Sequence, residues 1–239
     1  MEHLVLYIPI LTNPLLHAAR ILADSGVEIA SDPESADYLL YPIPTPLSAL
    51  EDYCQGATII GGNLDFLNES VSRIDLLKDP FFLADNAAIT AEAALGLVLA
   101  NLPCAVTEGQ ILILGWGRIG KCLTHQLEHL NAPVSVFARK PEDRALLRSL
   151  GYRPIGWEGL ADHIPEYRCV INTIPAQVLS DEDARRLRGD CFRLDLASVR
   201  SIPGEGVLHA RGLPGKYKPE STGKLIARTI LHDLGRVNV

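Results

Sequence analysis

Basic residues are in deficit in this 239-residue chain: 22 Lys and Arg stand against 29 Asp and Glu, and the net charge of −7 argues against a nucleic-acid backbone as the main partner. Met1-Glu2-His3 leads straight into a strand-like run and offers neither the basic stretch nor the apolar core of a signal peptide, so a cytoplasmic protein is expected. No apolar run reaches the roughly 18 residues of a membrane span, which predicts no membrane partner. The cysteines, Cys54, Cys104, Cys122, Cys169 and Cys191, are odd in number and form no C-x-x-C. Unpaired thiols in a reducing compartment are therefore expected, and a zinc site is not. His125 and His129 are four apart on a helical stretch, but H-E-x-x-H is absent, so the pair reads as solvated and no metal is expected. A G-x-S-x-G elbow is also absent, which leaves a serine hydrolase unsupported. There are no repeats and no low-complexity tract.

What is present has the composition of an ordinary globular protein, 47% hydrophobic and 21% charged, in a length that suits two small domains better than one large one. The most informative stretch is Gly115-Trp116-Gly117-Arg118-Ile119-Gly120. It follows the apolar run Ile111 to Leu114 and opens the helix-like segment Lys121 to Leu130. Strand, glycine turn and helix is the order a dinucleotide requires. The first glycine permits the tight turn, the second lets backbone approach a pyrophosphate, and the third lets helix and strand pack closely. Further strands are predicted at Val134 to Ala138, Tyr152 to Ile155, Cys169 to Thr173, Phe192 to Leu196 and Val207 to His209, making six with the first. The earlier part of the chain reads as strands at Leu4 to Ile8, Val27 to Ala30, Tyr38 to Tyr41 and Thr58 to Gly61. Asn13 is read as N-cap, and Pro14 as first residue, of a helix running to about Asp24. The prolines of Tyr41 to Pro46 fall on alternate residues, so that piece is either a loop at a ligand-binding strand end or a structural turn. Thr90 to Leu102 is small and aliphatic nearly all round and predicts a helix joining two lobes, buried on most sides.

The second strand of the glycine unit ends at Ala138-Arg139-Lys140. NAD-binding units usually carry Asp or Glu here to accept the ribose hydroxyls, whereas an Arg accommodates a 2′-phosphate. Arg139 and Lys140 thus favour NADP, with NAD the alternative if Glu142 turns inward. Asn172-Thr173-Ile174-Pro175 ends another strand, where its backbone and the Asn172 side chain either face the nicotinamide ribose and carboxamide or hold the turn ahead of the proline. Ser198 is placed to hydrogen-bond substrate or cofactor, or to cap a strand-to-loop turn. Thr90 and Glu92 are read as the start of the joining helix, where its amides would take a carboxylate or Thr90 would serve as N-cap. Lys216, after Gly212-Leu213-Pro214-Gly215, is either a cation for a dicarboxylate that also exchanges a proton, or a solvated lysine beside Lys218. The run Asp181-Glu182-Asp183, followed by Arg185, Arg186 and Arg188, suits the dipole of a structural helix.

Several words occur in order along the chain: Asp75-Leu76-Leu77, Asn86-Ala87, Thr90-Ala91-Glu92, the Gly115 to Gly120 turn with Ala138-Arg139, Ile171 to Ala176, Asp195-Leu196-Ala197-Ser198 and Gly212 to Lys216. With them the chain resembles the dipicolinate synthase A family, from roughly Asp75 to Leu234. The segment before Asp75 is shorter than that family's first domain, and Gly204-Glu205 stands where the family carries a glycine pair. The resemblance implies a nicotinamide-dependent, typically NADP-dependent, oxidation of a tetrahydrodipicolinate-type intermediate to dipicolinate, beside a small flavoprotein-like second subunit. The resulting expectation is an α/β protein of two Rossmann-like lobes. Residues 1–85 form a flavodoxin-like substrate lobe, 86–210 the NAD(P)-binding domain, and 211–239 a loop and helix returning to the first lobe. Lys216, Ser198 and Asn172 are the expected catalytic residues, Thr90, Glu92, Ser198 and Lys216 the substrate contacts, and the 115–120, 139–140 and 172–175 stretches the cofactor contacts. A homo-oligomer is expected. A 2-hydroxyacid dehydrogenase and a non-catalytic dinucleotide-binding regulator are the other readings.

Overall fold

The computed structural model describes residues 4–50 and 56–236, so the Met1 to His3 start and Cys54 lie outside the described residues. Its first elements are β1 (Val5–Tyr7), α1 (Asn13–Asp24), β2 (Glu28–Ile29), β3 (Tyr38–Leu40), β4 (Thr58–Gly61), β5 (Arg73–Asp75) and α2 (Pro80–Asn101). There follow β6 (Ile111–Leu114), α3 (Arg118–His129), β7 (Val134–Phe137), α4 (Pro141–Ser149), β8 (Arg153–Ile155), α5 (Trp157–His163) and β9 (Cys169–Asn172). The last are α6 (Asp181–Arg186), β10 (Phe192–Asp195), β11 (Val207–His209), α7 (Leu213–Tyr217) and α8 (Pro219–Asp233). The chain is an α/β protein with two parallel sheets, and it divides into two compact units, Met1–Ile89 with Pro214–Val239, and Thr90–Leu213.

In the first unit the strand order is β2-β1-β3-β4-β5, all pairs parallel, which is the flavodoxin-like doubly wound order. Alternation along the strands sends Leu6, Leu40 and Ile60 to one face, against Leu15 and Leu22 of α1, Phe82 of α2 and Leu225, Ile226 and Ile230 of α8. Leu39, Tyr41 and Ile59 go to the other face, under Leu50 and Leu64. Each such aliphatic side chain taken out of water contributes about 1.5–3 kcal/mol. α1 is capped one residue earlier than expected: the Thr12 hydroxyl accepts from Leu15 N, and Pro14 is the helix's second residue. The proline-rich loop after β3 is pinned to the end of β4, because Thr45 Oγ1 accepts from Gly62 N at 3.0 Å and donates to Pro42 O at 3.0 Å. β5 was not anticipated from the sequence; three residues headed by Arg73 are too few to show alternation.

α2 differs most from expectation. It starts at Pro80 rather than near Thr90, because Asp79 caps it: Oδ1 accepts from Phe81 N at 2.6 Å and Phe82 N at 3.2 Å, and proline occupies the first position. Thr90 is therefore buried in mid-helix, and neither it nor Glu92 offers free N-terminal amides. α2 is also, among the described residues, the one helix long and apolar enough to cross a membrane, with 22 residues and a mean hydropathy of 1.4 over an 18-residue window. Its packing is that of a core helix on one side only. Phe82 enters the first unit's core and Ala91, Ala94 and Val98 the second's, while Glu92, Gly96 and Leu99 are exposed, Leu99 at 52%.

The second unit has the order β11-β10-β9-β6-β7-β8, again wholly parallel, which is the six-stranded dinucleotide-binding order with β6 as its first strand. β6 is buried at all four positions, Ile111 and Ile113 facing Leu123 and Leu127 of α3, and Leu112 and Leu114 facing Leu160 of α5 and Val170. Pro154 is tolerated because β8 is an edge strand. α6 carries a full capping box between Ser180 and Asp183.

The tightest helix contact in the first unit lies at Gly223 of α8. A Cβ there would sit 2.5 Å from Pro14 O and 2.9 Å from Ala18 N of α1, backbone atoms that cannot turn aside. Gly223→Ala should gain about 1 kcal/mol of helix propensity and lose more to overpacking. The expected net loss is about 1–2 kcal/mol, read as a lower urea midpoint at unchanged m; an unchanged midpoint would show that α1 and α8 separate freely.

Candidate functional site

The glycine turn is built by three different constraints. Gly115 has φ +114°, and a Cβ there would lie 2.4 Å from Thr173 Oγ1 and 2.9 Å from Ile174 Cγ1. Both contacts come from the neighbouring strand end, where Thr173 Oγ1 donates to Leu114 O at 2.9 Å. Gly120, inside the first turn of α3, would place a Cβ 2.2 Å from Gly115 O, so only glycine lets the helix press onto the turn. Gly117 differs: its φ of −81° suits any residue, and nothing lies within 4 Å of where its Cβ would be. It is the N-cap of α3 and contributes no side-chain cap, so the first amides of a 12-residue helix are left for an outside acceptor. No acidic residue sits in that first turn. Tight turn, open approach and close packing are the three demands a pyrophosphate-binding turn makes, so the residues fit a dinucleotide.

Around the turn, Trp116 packs against the cluster of Val136, Ala138 and Leu147, edge-on to Tyr152 at 5.9 Å between centroids, with Lys121 Nζ 5.7 Å from its ring centroid. Arg118 is exposed and Ile119 half-buried. At the tip of β7, Arg139 and Lys140 are exposed and no carboxylate occupies the tip. Glu142 is exposed in the first turn of α4, where it complements the helix dipole. The tip is held by Arg144, which sequence reasoning missed: its Nη1 donates to Ala138 O at 3.0 Å and Arg139 O at 2.8 Å.

The ends of β9, β10 and β11 are joined by one buried carboxylate. Asp195, 1% exposed, accepts from Asn172 Nδ2 at 2.9 Å, Ala197 N at 3.2 Å, Ser201 N at 2.7 Å and Ile202 N at 3.3 Å, and His209 Nδ1 lies 3.4 Å from Oδ2. Asn172 is equally committed. Its Nδ2 also donates to Ile174 O at 2.9 Å and its Oδ1 accepts from Ile174 N at 3.1 Å, so the side chain holds the turn before Pro175 and has no amide hydrogen to spare. Ser198 is exposed in the bend after β10, and Pro175 is exposed after β9. The Asp195–His209 pair was not legible, because the strand register that sets these two side by side is a long-range property. The buried thiols take no part: burial raises the Cys169 thiol well above its usual range and the Cys191 thiol to about 11, so neither ionises near neutrality.

The stretches 115–120, 139–140, 172–175 and 195–198 thus all lie at the carboxyl ends of strands in one sheet, where open α/β sheets bind ligands. Lys216 belongs to the other unit. It lies in the one-turn helix α7 rather than in an irregular loop, exposed, with its Nζ 5.3 Å from the centroid of the Tyr217 ring.

Two alanine substitutions separate the glycine roles. Gly117→Ala should change stability by no more than about 1 kcal/mol and weaken dinucleotide binding, whereas Gly120→Ala should cost about 3 kcal/mol of stability. Chemical denaturation and cofactor titration of both variants check this, and equal losses of stability would contradict the division.

No protein-family model matches the chain. It is 28% identical to dipicolinate synthase A of Bacillus subtilis (strain 168) over 153 residues, 61% of this chain and 52% of that protein, so the match spans about half the length of that relative. Among solved structures, dipicolinate synthase A from Bacillus halodurans superposes with a TM-score of 0.82 at 20% identity, covering 97% of each chain. A transhydrogenase from Sinorhizobium meliloti reaches 0.72 at 18% identity, over 89% of this chain and 78% of that one. In fold over nearly its whole length, and in sequence over the stretch that carries the glycine turn, the chain is similar to dipicolinate synthase A.

Proposed function

We propose that the chain is an NAD(P)-dependent oxidoreductase of the dipicolinate synthase A type, acting on a small dicarboxylate such as a dihydro- or tetrahydrodipicolinate. The observation that carries the cofactor part is the division of labour among Gly115, Gly117 and Gly120, with the second glycine facing open space at an uncapped helix N-terminus. The amides of α3 would hold the pyrophosphate, and Arg139 and Lys140 the 2′-phosphate of NADP. A bound nicotinamide dinucleotide supplies the hydride acceptor.

Oxidation also releases a proton from the substrate's N–H or O–H, and His209 is assigned to take it. With Nδ1 turned toward the Asp195 carboxylate, 3.4 Å from Oδ2, Nε2 is the ring nitrogen proposed to receive it. Asn172 acts by shaping the strand end, Ser198 by hydrogen-bonding the substrate, and Lys216 by neutralising a substrate carboxylate. The dicarboxylate itself rests on the sequence likeness, as do a flavoprotein-like second subunit and self-association. The carboxylate–histidine pair also favours a second reading, oxidation of a 2-hydroxy acid, which the same cofactor site would serve.

NADPH should bind more tightly than NADH, and Arg139→Asp should reverse the order. Each lost charge-assisted contact is worth about 1.5–3 kcal/mol, a tenfold to hundredfold change in affinity by calorimetric titration. Equal affinities in the parent chain would refute the NADP assignment.

Lys216→Met should leave NADPH affinity within about twofold while lowering dicarboxylate binding or turnover by about tenfold or more, the worth of one charged contact. Parent-like turnover would make Lys216 a solvated lysine. Turnover of 2-hydroxy acids instead of cyclic dicarboxylates would select the second reading, and binding of cofactor without any turnover would leave a nucleotide-binding regulator.

A further inference from the structure

The last turn of α3 reads His125-Gln126-Leu127-Glu128-His129, so although H-E-x-x-H is absent, its inverse H-x-x-E-H is present. Helical spacing puts all three polar residues on one exposed face, with Leu127 turned into the core. One ligand atom from each of His125, Glu128 and His129 lies within 4.8 Å of the others. A tetrahedral zinc with bonds of about 2.0–2.1 Å needs donors roughly 3.3 Å apart, a distance that small rotations of exposed side chains can reach.

The groups behind the donors are arranged as metal ligands require. His129 Nδ1 is 2.8 Å from the backbone oxygen of His125, and a carbonyl only accepts, so Nδ1 carries the hydrogen and Nε2 presents its lone pair outward. Tyr152 OH donates to Glu128 Oε2 at 2.6 Å, which orients the carboxylate and leaves Oε1 for a ligand. The imidazoles lie edge to face at 4.3 Å, and the negative end of the α3 dipole adds to the attraction for a cation.

We propose that His125, Glu128 and His129 form a surface site for one divalent transition-metal ion of the zinc, nickel or copper class, with water completing the shell. Two imidazoles and one carboxylate are a borderline donor set that suits these ions rather than calcium or magnesium. The exposed helix face gives no enclosed substrate position, so the site holds an ion and does not hydrolyse peptides. By bridging the last turn of α3, the ion stabilises the folded state by mass action.

The test is calorimetric titration of the full chain with Zn²⁺, with thermal unfolding alongside. The expected result is one saturable ion per chain and a raised melting temperature, both lost in the His125→Ala/His129→Ala double variant. Tyr152→Phe should weaken binding about tenfold at unchanged stoichiometry, because it removes only the orienting hydrogen bond. NADPH affinity should be unchanged in the double variant, which also shows that it is folded. No saturable binding by the parent, retention of the ion by the double variant, or sulfur ligation in the X-ray absorption spectrum would each overturn the site.

Discussion

The carboxylate of Asp195 is the interaction on which the strand-end geometry of the second unit depends. A carboxylate this deeply buried forfeits several kcal/mol of hydration, so it persists only where donors replace the lost water. Here three backbone amides and the Asn172 amide do so, each charge-assisted bond worth about 1.5–3 kcal/mol. The donors come from the end of β9 and from the chain beyond β10, while His209 approaches from β11. One side chain therefore sets the path of the Ser198 bend and lies beside the ring of His209. Asn172, in turn, relays that anchor to Ile174, whose side chain crowds Gly115.

The legible part of the fold follows from short-range rules. Local hydrophobicity and turn residues located six strands in the second unit to within a residue, most directly β6 and β9, which are buried at every position and so nearly all apolar. The glycine turn was legible for the same reason: its constraints act over six residues. Misreadings arose where two local signals competed or where the determinant was distant. Asp79-Pro80 is a helix start of the same kind as Asn13-Pro14, but the aliphatic run from Thr90 drew the boundary ten residues too late. At α1 itself Thr12 outcompeted Asn13 by one position. The contacts of Asp195 with Asn172, Ser201 and His209 come from register and loop path, which no window of sequence contains.

Roles assigned from motif words divide in the same way. Gly115, Gly117 and Gly120 have the backbone properties their roles demand, and Arg139 and Lys140 stand exposed at a tip that carries no acid. Of the two sequence readings of Asn172, facing a ligand or holding the turn before Pro175, its two engaged amide hydrogens match the turn. The spacing of His125, Glu128 and His129 lies within five residues of one helix, whereas the hydrogen bond that orients Glu128 comes from Tyr152, just before β8.

The first unit is discontinuous in sequence, residues up to Ile89 being completed by those from Pro214 onward, and α8 supplies much of the core under β1, β3 and β4. On the ribosome, the N-terminal strands thus emerge well before the helix that covers them is made. The uninterrupted Thr90–Leu213 unit has all its strands at hand first and can complete its core while synthesis continues. Until α8 is translated, the apolar face of β1, β3 and β4 lacks half its cover, so the nascent chain carries a sticky surface for the time taken to add more than a hundred residues. The burden of this connectivity falls on synthesis rather than on the finished fold.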